Sequence, residues 1–299
     1  MSQVEEQERT SWAFGPGDTI VTSMCAIARL GDGMRTESWL AWDAVRWAPA
    51  VVKIARPDHV GSEKARASLH READAHRCLQ HPALQRLLED GAEAPLPHLV
   101  MEYIQGPSLS DVLHEHGRLM LGDIVRLGLQ ICSVLHYAHQ GGLLHLDIKP
   151  GNVVLRAGQA VVIDLGFVRP IGWAPVDGSP RGSWRYMAPE QCRGEPSTPA
   201  TDLFALGTVL YEIATGEPAF RSSEDCFEQV ERRAEPVRRR APELPPELDD
   251  LIQSLLDPDI AKRPRTAATV LAALDVVMPP GEAHVWPSFG RQLLMAEAG

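Results

Sequence analysis

The hydrophobic pattern of the chain changes its period once, near Gly106, and this change constrains the fold more than any other feature. Before Gly106, apolar and polar residues alternate between glycine and proline breaks, as in half-buried antiparallel strands. After Gly106, apolar residues recur three or four positions apart, as on one face of a helix. The pattern predicts an α+β fold with a small, β-rich N-terminal part and a larger, mainly helical C-terminal part.

One helix interrupts the strands of the N-terminal part. Residues 62–79 are charged and rich in helix-forming residues, and Ala65, Leu69 and Ala73 repeat at helical spacing. A short strand that ends in a glycine turn is predicted at residues 97–106. The N-terminal part is therefore expected to be a small sheet with a single helix.

The C-terminal part is predicted to begin with a helix over residues 124–138 that stops at Gly141–Gly142. Two short strands joined by a turn at Ala157–Gly158 follow, and then a long loop rich in glycine, proline and serine from Phe167 to about Trp184. Three further helical patterns come after this loop.

Composition excludes several classes of function. The chain has 299 residues, of which 44% are hydrophobic, enough for one large or two smaller domains. Its formal charge of -11 argues against a nucleic-acid partner. The chain starts with an acidic, polar stretch and has no long apolar run, so we expect no membrane partner and a cytoplasmic location. The five cysteines lack a CxxC pair and are expected to be buried, reduced thiols.

A cluster of polar residues lies where the neighbouring residues belong in a core. The stretch "LLHLDIKPGNVVL" (Leu143 to Leu155) contains Asp147, Lys149 and Asn152, and Asp164 follows the next predicted strand. Such groups are rare at the edge of a core unless they are paired, metal-bound or catalytic. Asp and Asn oxygens suit a hard cation such as Mg²⁺, and the lysine suits a phosphate.

Two features of the N-terminal part also point to phosphate binding. In "LGDG", Gly31 and Gly33 carry no side chain, so backbone N–H groups can approach phosphate oxygens. Lys53 lies in the middle of an apolar strand, where its charge is costly unless it meets an anion, and Glu72 on the following helix is a plausible partner.

Together these segments resemble the eukaryotic-type (Hanks-type) Ser/Thr protein kinase family, including its compact bacterial members, from about Leu30 to Leu274. The resemblance implies a bilobal protein-kinase-like fold with a leader at 1–14, an N-lobe at about 15–104, a C-lobe at about 105–278 and a tail at 279–299. The matching segments occur in family order: "LGDGMRTESWLA", "VVK", "READAHRCLQHP", "LVMEYIQG", "HLDIKPGN", "DLG", "YMAPE", "TDLFALGTVLYEIATGEPAF" and "DPDIAKRP".

The resemblance also implies an ATP- and Mg²⁺-dependent transfer of phosphate to Ser/Thr hydroxyls of protein substrates. The implied roles are assigned residue by residue: Asp147 is the base or orienting group, Lys149 contacts the γ-phosphate, Asn152 and Asp164 hold Mg²⁺, Lys53 paired with Glu72 holds the α- and β-phosphates, and Gly31 and Gly33 lie over the phosphates.

Further positions match the family in supporting roles. Met101 is the implied gatekeeper, and the backbone of Glu102, Tyr103 and Ile104 is implied to receive adenine. Three more residues are expected to be structural: Glu190 and Arg263 as a buried pair, and Asp202 as a brace beneath the catalytic loop.

The chain departs from the family pattern at several positions. Thr36 replaces the third loop glycine, Ser38 a valine, Val51 an alanine, Leu146 an arginine and Leu165 a phenylalanine. Three of these (Thr36, Ser38 and Leu146) suggest an alternative, a pseudokinase that acts as a nucleotide-binding or scaffold module. A small-molecule phosphotransferase is a third possibility. The four retained polar residues favour the protein kinase: Lys53, Asp147, Asn152 and Asp164.

Leu146 has a consequence for regulation. An arginine at this position is the cation that receives a phosphate on the activation segment, the residues from Asp164 to Glu190. This segment carries only two aliphatic hydroxyls, those of Ser179 and Ser183. We therefore expect activity not to require phosphorylation of the activation segment.

Overall fold

The computed structural model describes residues 10–223 and 226–279, and these residues form the expected α+β fold. They divide into two compact units. The N-terminal unit ends at Tyr103 and excludes His81–Leu84, which belong with the C-terminal unit that begins at Ile104. Within the described ranges, no helix is both long enough and apolar enough to cross a membrane. Most of the predicted leader and tail lies outside these ranges, so the domain boundaries stay predictions.

Six antiparallel strands form the sheet of the N-terminal unit. They are β1 (Thr19–Val21), β2 (Met24–Asp32), β3 (Thr36–Asp43), β4 (Ala48–Ala55), β5 (Leu87–Gly91) and β6 (His98–Glu102). Their order across the sheet is β1-β2-β3-β4-β6-β5. Because side chains alternate along a strand, Val52 and Ile54 of β4 enter the hydrophobic core on one face of the sheet, whereas Lys53 lies on the other face.

A single helix, α1 (Glu63–Cys78), accompanies this sheet, as the sequence predicted. The Ser62 side chain caps it by accepting a hydrogen bond from the Ala65 N–H. Its apolar stripe includes Leu69 and Ala73, which pack with Leu99 of β6. Since Glu72 lies next to Ala73 on this helix, packing of the stripe also fixes the direction of the Glu72 side chain.

The segment that precedes the sheet packs on its core. Trp12 and Phe14 belong to the predicted polar leader, yet both rings lie against the core cluster that contains Trp39. The Trp12 and Phe14 rings are stacked with centroids 5.4 Å apart, and Phe14 meets Trp39 edge-on at 5.3 Å. The sheet core therefore begins earlier in the chain than the apolar alternation indicated.

Seven helices lie in the described part of the C-terminal unit. They are α2 (Leu109–His116), α3 (Leu121–Gln140), α4 (Pro189–Cys192), α5 (Pro199–Thr215), α6 (Glu228–Glu231), α7 (Pro246–Leu255) and α8 (Ala267–Val277). Helix α5 is buried along most of its length and packs with α3 and α7. A Cβ atom at Gly207 would lie 2.7 Å from the Leu255 Cβ, so glycine is required where α5 approaches α7.

Four short strands flank loops of this unit. They are β7 (Leu143–Leu144), β8 (Val153–Arg156), β9 (Gln159–Val162) and β10 (Arg169–Pro170). The predicted turn between β8 and β9 is confirmed: Ala157 and Gly158 both have positive φ, 50° and 80°. Strand β10 lies inside the segment predicted to be a continuous loop and pairs with β7.

Two expectations from the sequence were incomplete. Helix α2 was not predicted, although Ser108 and Asp111 form a capping box at its start. The expectation that all cysteines are buried was wrong for Cys78 and Cys226, which are exposed on the described surface, and for Cys25, which is partly exposed.

Candidate active site

Four hydrogen bonds orient the Asp147 carboxylate, which lies in the loop between β7 and β8. Ser183 donates to Oδ1 from its backbone N at 3.1 Å and from its Oγ at 2.8 Å. Lys149 Nζ donates to Oδ2 at 2.8 Å, and Asn152 Nδ2 donates to the same oxygen at 3.0 Å. The residue is buried, so these contacts replace the water that a free carboxylate would bind.

Lys149 and Asn152 are themselves held in place. Lys149 Nζ donates a second hydrogen bond to Ser183 Oγ at 2.7 Å, and Asn152 Nδ2 donates also to the Asp147 backbone carbonyl at 2.9 Å. Because the Asn152 amide nitrogen is the donor in both of its bonds, Oδ1 is the atom with which this side chain can ligate a cation. The loop thus presents a carboxylate, an ammonium and an amide oxygen from one short segment.

Beneath this loop, Asp202 of α5 binds the backbone. It accepts hydrogen bonds from the N–H groups of His145 at 2.9 Å and Leu146 at 2.8 Å, and its Oδ2 lies 2.9 Å from His139 Nε2. Burial raises the pKa of Asp202, but these hydrogen bonds and the nearby histidines outweigh burial and leave it lowered. Leu146 has a φ of 64°, and Asp202 holds it in this left-handed conformation.

Asp164 follows β9 at the start of the activation segment. Its φ is 67°, and its Oδ1 accepts a hydrogen bond from the Gly166 N–H at 3.1 Å. The preceding residue, Ile163, donates its N–H to the Asn152 carbonyl at 2.9 Å, so the backbone of the Asp164 turn is tied to the loop that carries Asn152. The C-terminal unit therefore joins the two predicted metal ligands through one backbone contact.

The chemistry of this donor set fits Mg²⁺. The described residues contain no group of three or more His, Cys, Asp or Glu side chains that could enclose a metal ion. Mg²⁺ does not need such a cage, because it is usually held by one or two carboxylates together with substrate phosphates and waters. A carboxylate from Asp164 and an amide oxygen from Asn152 match that requirement.

The end of the activation segment is anchored by a buried ion pair. Arg263 donates from Nη1 and Nη2 to the two carboxylate oxygens of Glu190 at 2.8 and 2.9 Å. Thr201 Oγ1 adds a hydrogen bond to Glu190 at 2.8 Å, and the Arg263 guanidinium lies 4.8 Å from the centre of the Phe204 ring. The bidentate geometry and the added hydrogen bond compensate for the burial of both charges.

In the N-terminal unit, Lys53 and Glu72 form the pair expected from the sequence. Lys53 Nζ donates to both carboxylate oxygens of Glu72 at 2.8 Å. On the adjacent strand β3, Ser38 lies directly opposite Lys53. The pair fixes an ammonium group on the face of the sheet opposite the hydrophobic core.

The hairpin between β2 and β3 carries the predicted phosphate-binding glycines. Gly33 donates its N–H to the Thr36 carbonyl at 2.8 Å, and Gly31 pairs with Ser38. A Cβ at Gly33 would lie 3.1 Å from Thr36, whereas a Cβ at Gly31 would meet no described atom within 4 Å. Packing within the hairpin therefore accounts for a small residue at Gly33 but not for the glycine at Gly31.

The predicted adenine-binding segment begins at the end of β6. Met101 pairs with Val51 of β4, and both are buried. The Glu102 carbonyl accepts a hydrogen bond from Gln85 Nε2 at 2.8 Å, which occupies one of its two lone pairs. The C-terminal unit begins at Ile104, which is also buried.

Each unit brings together its own share of the predicted site. Lys149 and Asn152 both contact Asp147 in the C-terminal unit, and Lys53 contacts Glu72 in the N-terminal unit. Two supporting groups were missed, the His139 ring at Asp202 and the Gln191 amide, whose Nε2 donates to the Leu146 carbonyl at 3.2 Å. No local sequence signal reveals them, because their partners lie far away in the chain.

The fold and these residues agree with one protein family. Residues 26–273 match the protein kinase domain. The match covers most of the chain, so the chain belongs to the protein kinase domain family. Members of this family use ATP and Mg²⁺.

The chain is also similar to several bacterial kinases. The chain is 32% identical over 257 residues to serine/threonine-protein kinase PknB of Mycolicibacterium smegmatis. The matched residues cover 82% of this chain and 41% of that protein. It is 32% identical over 284 residues to PknB of Mycobacterium tuberculosis, 90% of this chain and 45% of that protein. A probable serine/threonine-protein kinase of Streptomyces coelicolor is 31% identical over 77% of the chain and 36% of its own length. The chain thus spans less than half the length of these relatives.

Proposed function

We propose that this chain is an ATP- and Mg²⁺-dependent protein kinase that phosphorylates serine and threonine hydroxyls of proteins. The observation that carries the proposal is the Asp147 carboxylate with its four hydrogen bonds, donated by Ser183, Lys149 and Asn152. Three bacterial relatives named as serine/threonine-protein kinases support the acceptor class. The cytoplasmic location expected from the sequence stays a prediction.

The residues of the chain divide the chemistry among them. Asp147 orients the acceptor hydroxyl and accepts its proton, and Lys149 stabilises charge on the phosphoryl group during transfer. Lys53, positioned by Glu72, binds the other phosphates of ATP. Bound Mg²⁺ would neutralise phosphate charge, and Asn152 and Asp164 would hold it. Catalysis then rests on positioning and electrostatic stabilisation.

A pseudokinase is the second candidate. Thr36 and Ser38 depart from the family pattern in the phosphate-binding hairpin, and the Glu102 carbonyl already accepts a hydrogen bond from Gln85. The two departures weaken nucleotide binding if the hairpin holds the phosphates, and the Gln85 bond weakens it if adenine needs the same lone pair of the carbonyl. Under this alternative the chain binds partners without transferring phosphate.

Labelled ATP separates the two candidates. The purified chain is incubated with γ-labelled ATP and Mg²⁺, alone and with a generic basic protein substrate, and labelled serine and threonine are identified after hydrolysis. We expect Asp147→Asn to lower turnover by about 10²–10⁴-fold with little change in nucleotide affinity, because the carboxylate acts on the acceptor hydroxyl.

The control is Asp250→Asn, which removes an exposed carboxylate from α7 and should leave turnover unchanged. EDTA should abolish label transfer by the wild type. No Mg²⁺-dependent transfer above the Asp147→Asn background would reject the kinase and favour the pseudokinase. Loss of nucleotide affinity as large as the loss of rate would reject the role given to Asp147.

A further inference from the structure

A buried carboxylate lies on the back of the phosphate-binding hairpin. Glu37 is the residue between Thr36 and Ser38 in β3, and it has 0% exposure. Because side chains alternate along a strand, Glu37 points to the core face of the sheet, whereas Ser38 lies on the face of Lys53. A buried charge at this point is costly unless neighbouring groups stabilise it.

Two tryptophans donate hydrogen bonds to this carboxylate. The Trp12 backbone N–H donates to Oε1 at 3.3 Å, and Trp39 Nε1 donates to Oε2 at 3.2 Å. The Trp12 ring also binds the end of the neighbouring strand, because its Nε1 donates to the Ala55 carbonyl at 2.8 Å. Residues 10–14, which we call the strap, are thus fixed to both β3 and β4.

Two arginines balance the charge. Arg56, the residue after β4, has 2% exposure, and its Nη1 lies 3.9 Å from Glu37 Oε1 and 3.5 Å from Asp32 Oδ1. Arg29 Nε lies 3.9 Å from Glu37 Oε2, and Arg29 also pairs with Asp32. Asp32 and Glu37 face each other across the hairpin. The guanidinium of Arg56 therefore joins both sides of the turn that carries Gly33.

We propose that Glu37 is a positioning residue for nucleotide binding: with Arg56 and the strap, it fixes the conformation of the Gly31–Gly33 hairpin from the face opposite the ligand. The proposal rests on the proposed function, since it assigns ATP phosphates to this hairpin. It explains how the hairpin keeps one shape without the third glycine, which is Thr36 here. It also couples residues 10–14 to nucleotide affinity.

The test compares Glu37→Gln with the wild type. Glutamine keeps the size of the side chain and an oxygen that accepts a hydrogen bond, but it removes the charge that Arg29 and Arg56 balance. We expect KM for ATP and Kd for a fluorescent ADP analogue to rise together by at least about fivefold, with kcat changed by less than about twofold. Hydrogen exchange at the Gly33 amide, measured without nucleotide, should become faster.

Glu63→Gln is the matched control, because Glu63 is an exposed glutamate of the same unit. If Glu37→Gln does not fold, Trp12→Phe is measured instead, because it keeps a six-membered aromatic ring and the backbone N–H that binds Glu37 but removes the indole N–H that binds Ala55. It should raise the same KM and Kd by about threefold.

Unchanged KM, Kd and Gly33 exchange in the folded variant would overturn the proposal, as would an effect confined to kcat. Failure of the proposed function looks different. If the wild type transfers no phosphate, the Kd and the Gly33 exchange rate can still differ between the variant and the wild type, because neither measurement needs turnover.

Discussion

At the residue scale, Leu146 distinguishes this site. Its backbone is left-handed, which costs about 1–2 kcal/mol for a residue with a side chain, and Asp202 stabilises it through two backbone N–H groups. The side chain is apolar and buried, so it brings no cation next to Asp147. The loop that carries Asp147 is therefore held by Asp202 beneath it and by the buried His145 within it.

His145 makes the stability of this loop depend on pH. Burial is the main cause of the lowered pKa of His145, and the positive charge of Lys149 also lowers it. The negative charges of Asp202, Asp147 and Asp164 raise the pKa but do not outweigh burial. In the unfolded chain a histidine titrates near pH 6.5. Because the folded-state pKa is lower, neutral His145 contributes stability above that pH, and the contribution is lost as the pH falls from about 6.5 towards the folded-state pKa.

Urea unfolding of the wild type and His145→Asn at about pH 7.5 and about pH 5.5 measures this effect. Asparagine keeps an acceptor for the Asp147 N–H, which now bonds to His145 Nδ1 at 3.3 Å. We expect the stability advantage of the wild type to shrink at the lower pH. An advantage of equal size at both values would contradict the assignment to His145.

At the scale of the elements, the activation segment is held by direct contacts. Ser183 Oγ contacts both Asp147 and Lys149, and the ion pair of Glu190 and Arg263 anchors the end of the segment. Ser179 is exposed, and its N–H donates to Asp177. The contacts of Ser183 and Glu190 hold the C-terminal half of the segment in place.

We therefore expect Ser179→Ala and the dephosphorylated wild type to keep initial rates within about twofold of the untreated protein. Mass spectrometry confirms the phosphate content, and phosphoryl transfer gives the rates. Ser183→Ala is the contrasting variant: it removes a donor to Asp147 and should lower kcat about tenfold or more. A tenfold loss in the dephosphorylated protein and in Ser179→Ala, restored by rephosphorylation at Ser179, would show that the segment needs its phosphate.

Elements with a long hydrophobic repeat were predictable from the sequence, whereas short elements were not. Helix α1 has a long amphipathic repeat and a serine cap, and its position was predicted almost to the residue. Helix α2 is two turns long with one fully buried residue, Leu109, so its apolar repeat was too short to recognise. Strand β10 exists because β7 pairs with it, and pairing between distant segments leaves no local pattern.

The same distinction applies to the site. Asp147, Lys149 and Asn152 are predictable because they are close in sequence and out of place among apolar neighbours. Glu37 was missed for the opposite reason: a charged residue in an alternating strand reads as solvent-exposed. Only the packing of residues 10–14 over the sheet shows that its side chain is buried.

At the scale of the whole molecule, the buried ion pair links distant segments of the C-terminal unit. Glu190 and Arg263 are separated by 73 positions, and Arg263 also donates to the carbonyl of Asp257 at 2.7 Å. Removing one partner would leave the other as an unpaired buried charge, which strongly lowers the free energy of unfolding.

Glu190→Gln should lower the free energy of unfolding by about 3–5 kcal/mol, measured by urea denaturation. The nearby Glu195→Gln serves as a control, because Glu195 is exposed and its contact with Arg193 is 4.0 Å long. That variant should change stability by less than about 1 kcal/mol. A loss of similar size in the two variants would mean that the pair does not hold the unit together.

Leu146, the residue before Asp147, also bears on how the kinase activity depends on the concentration of the protein. A kinase that must receive a phosphate from another copy is switched on by an encounter of two molecules, so its progress curves begin with a lag and its specific activity rises on concentration. Because buried Leu146 stands in place of a receiving cation, we expect this chain not to need that encounter. Rates should be first order in enzyme from the start of the reaction, and a cell would set the output by the number of copies it makes.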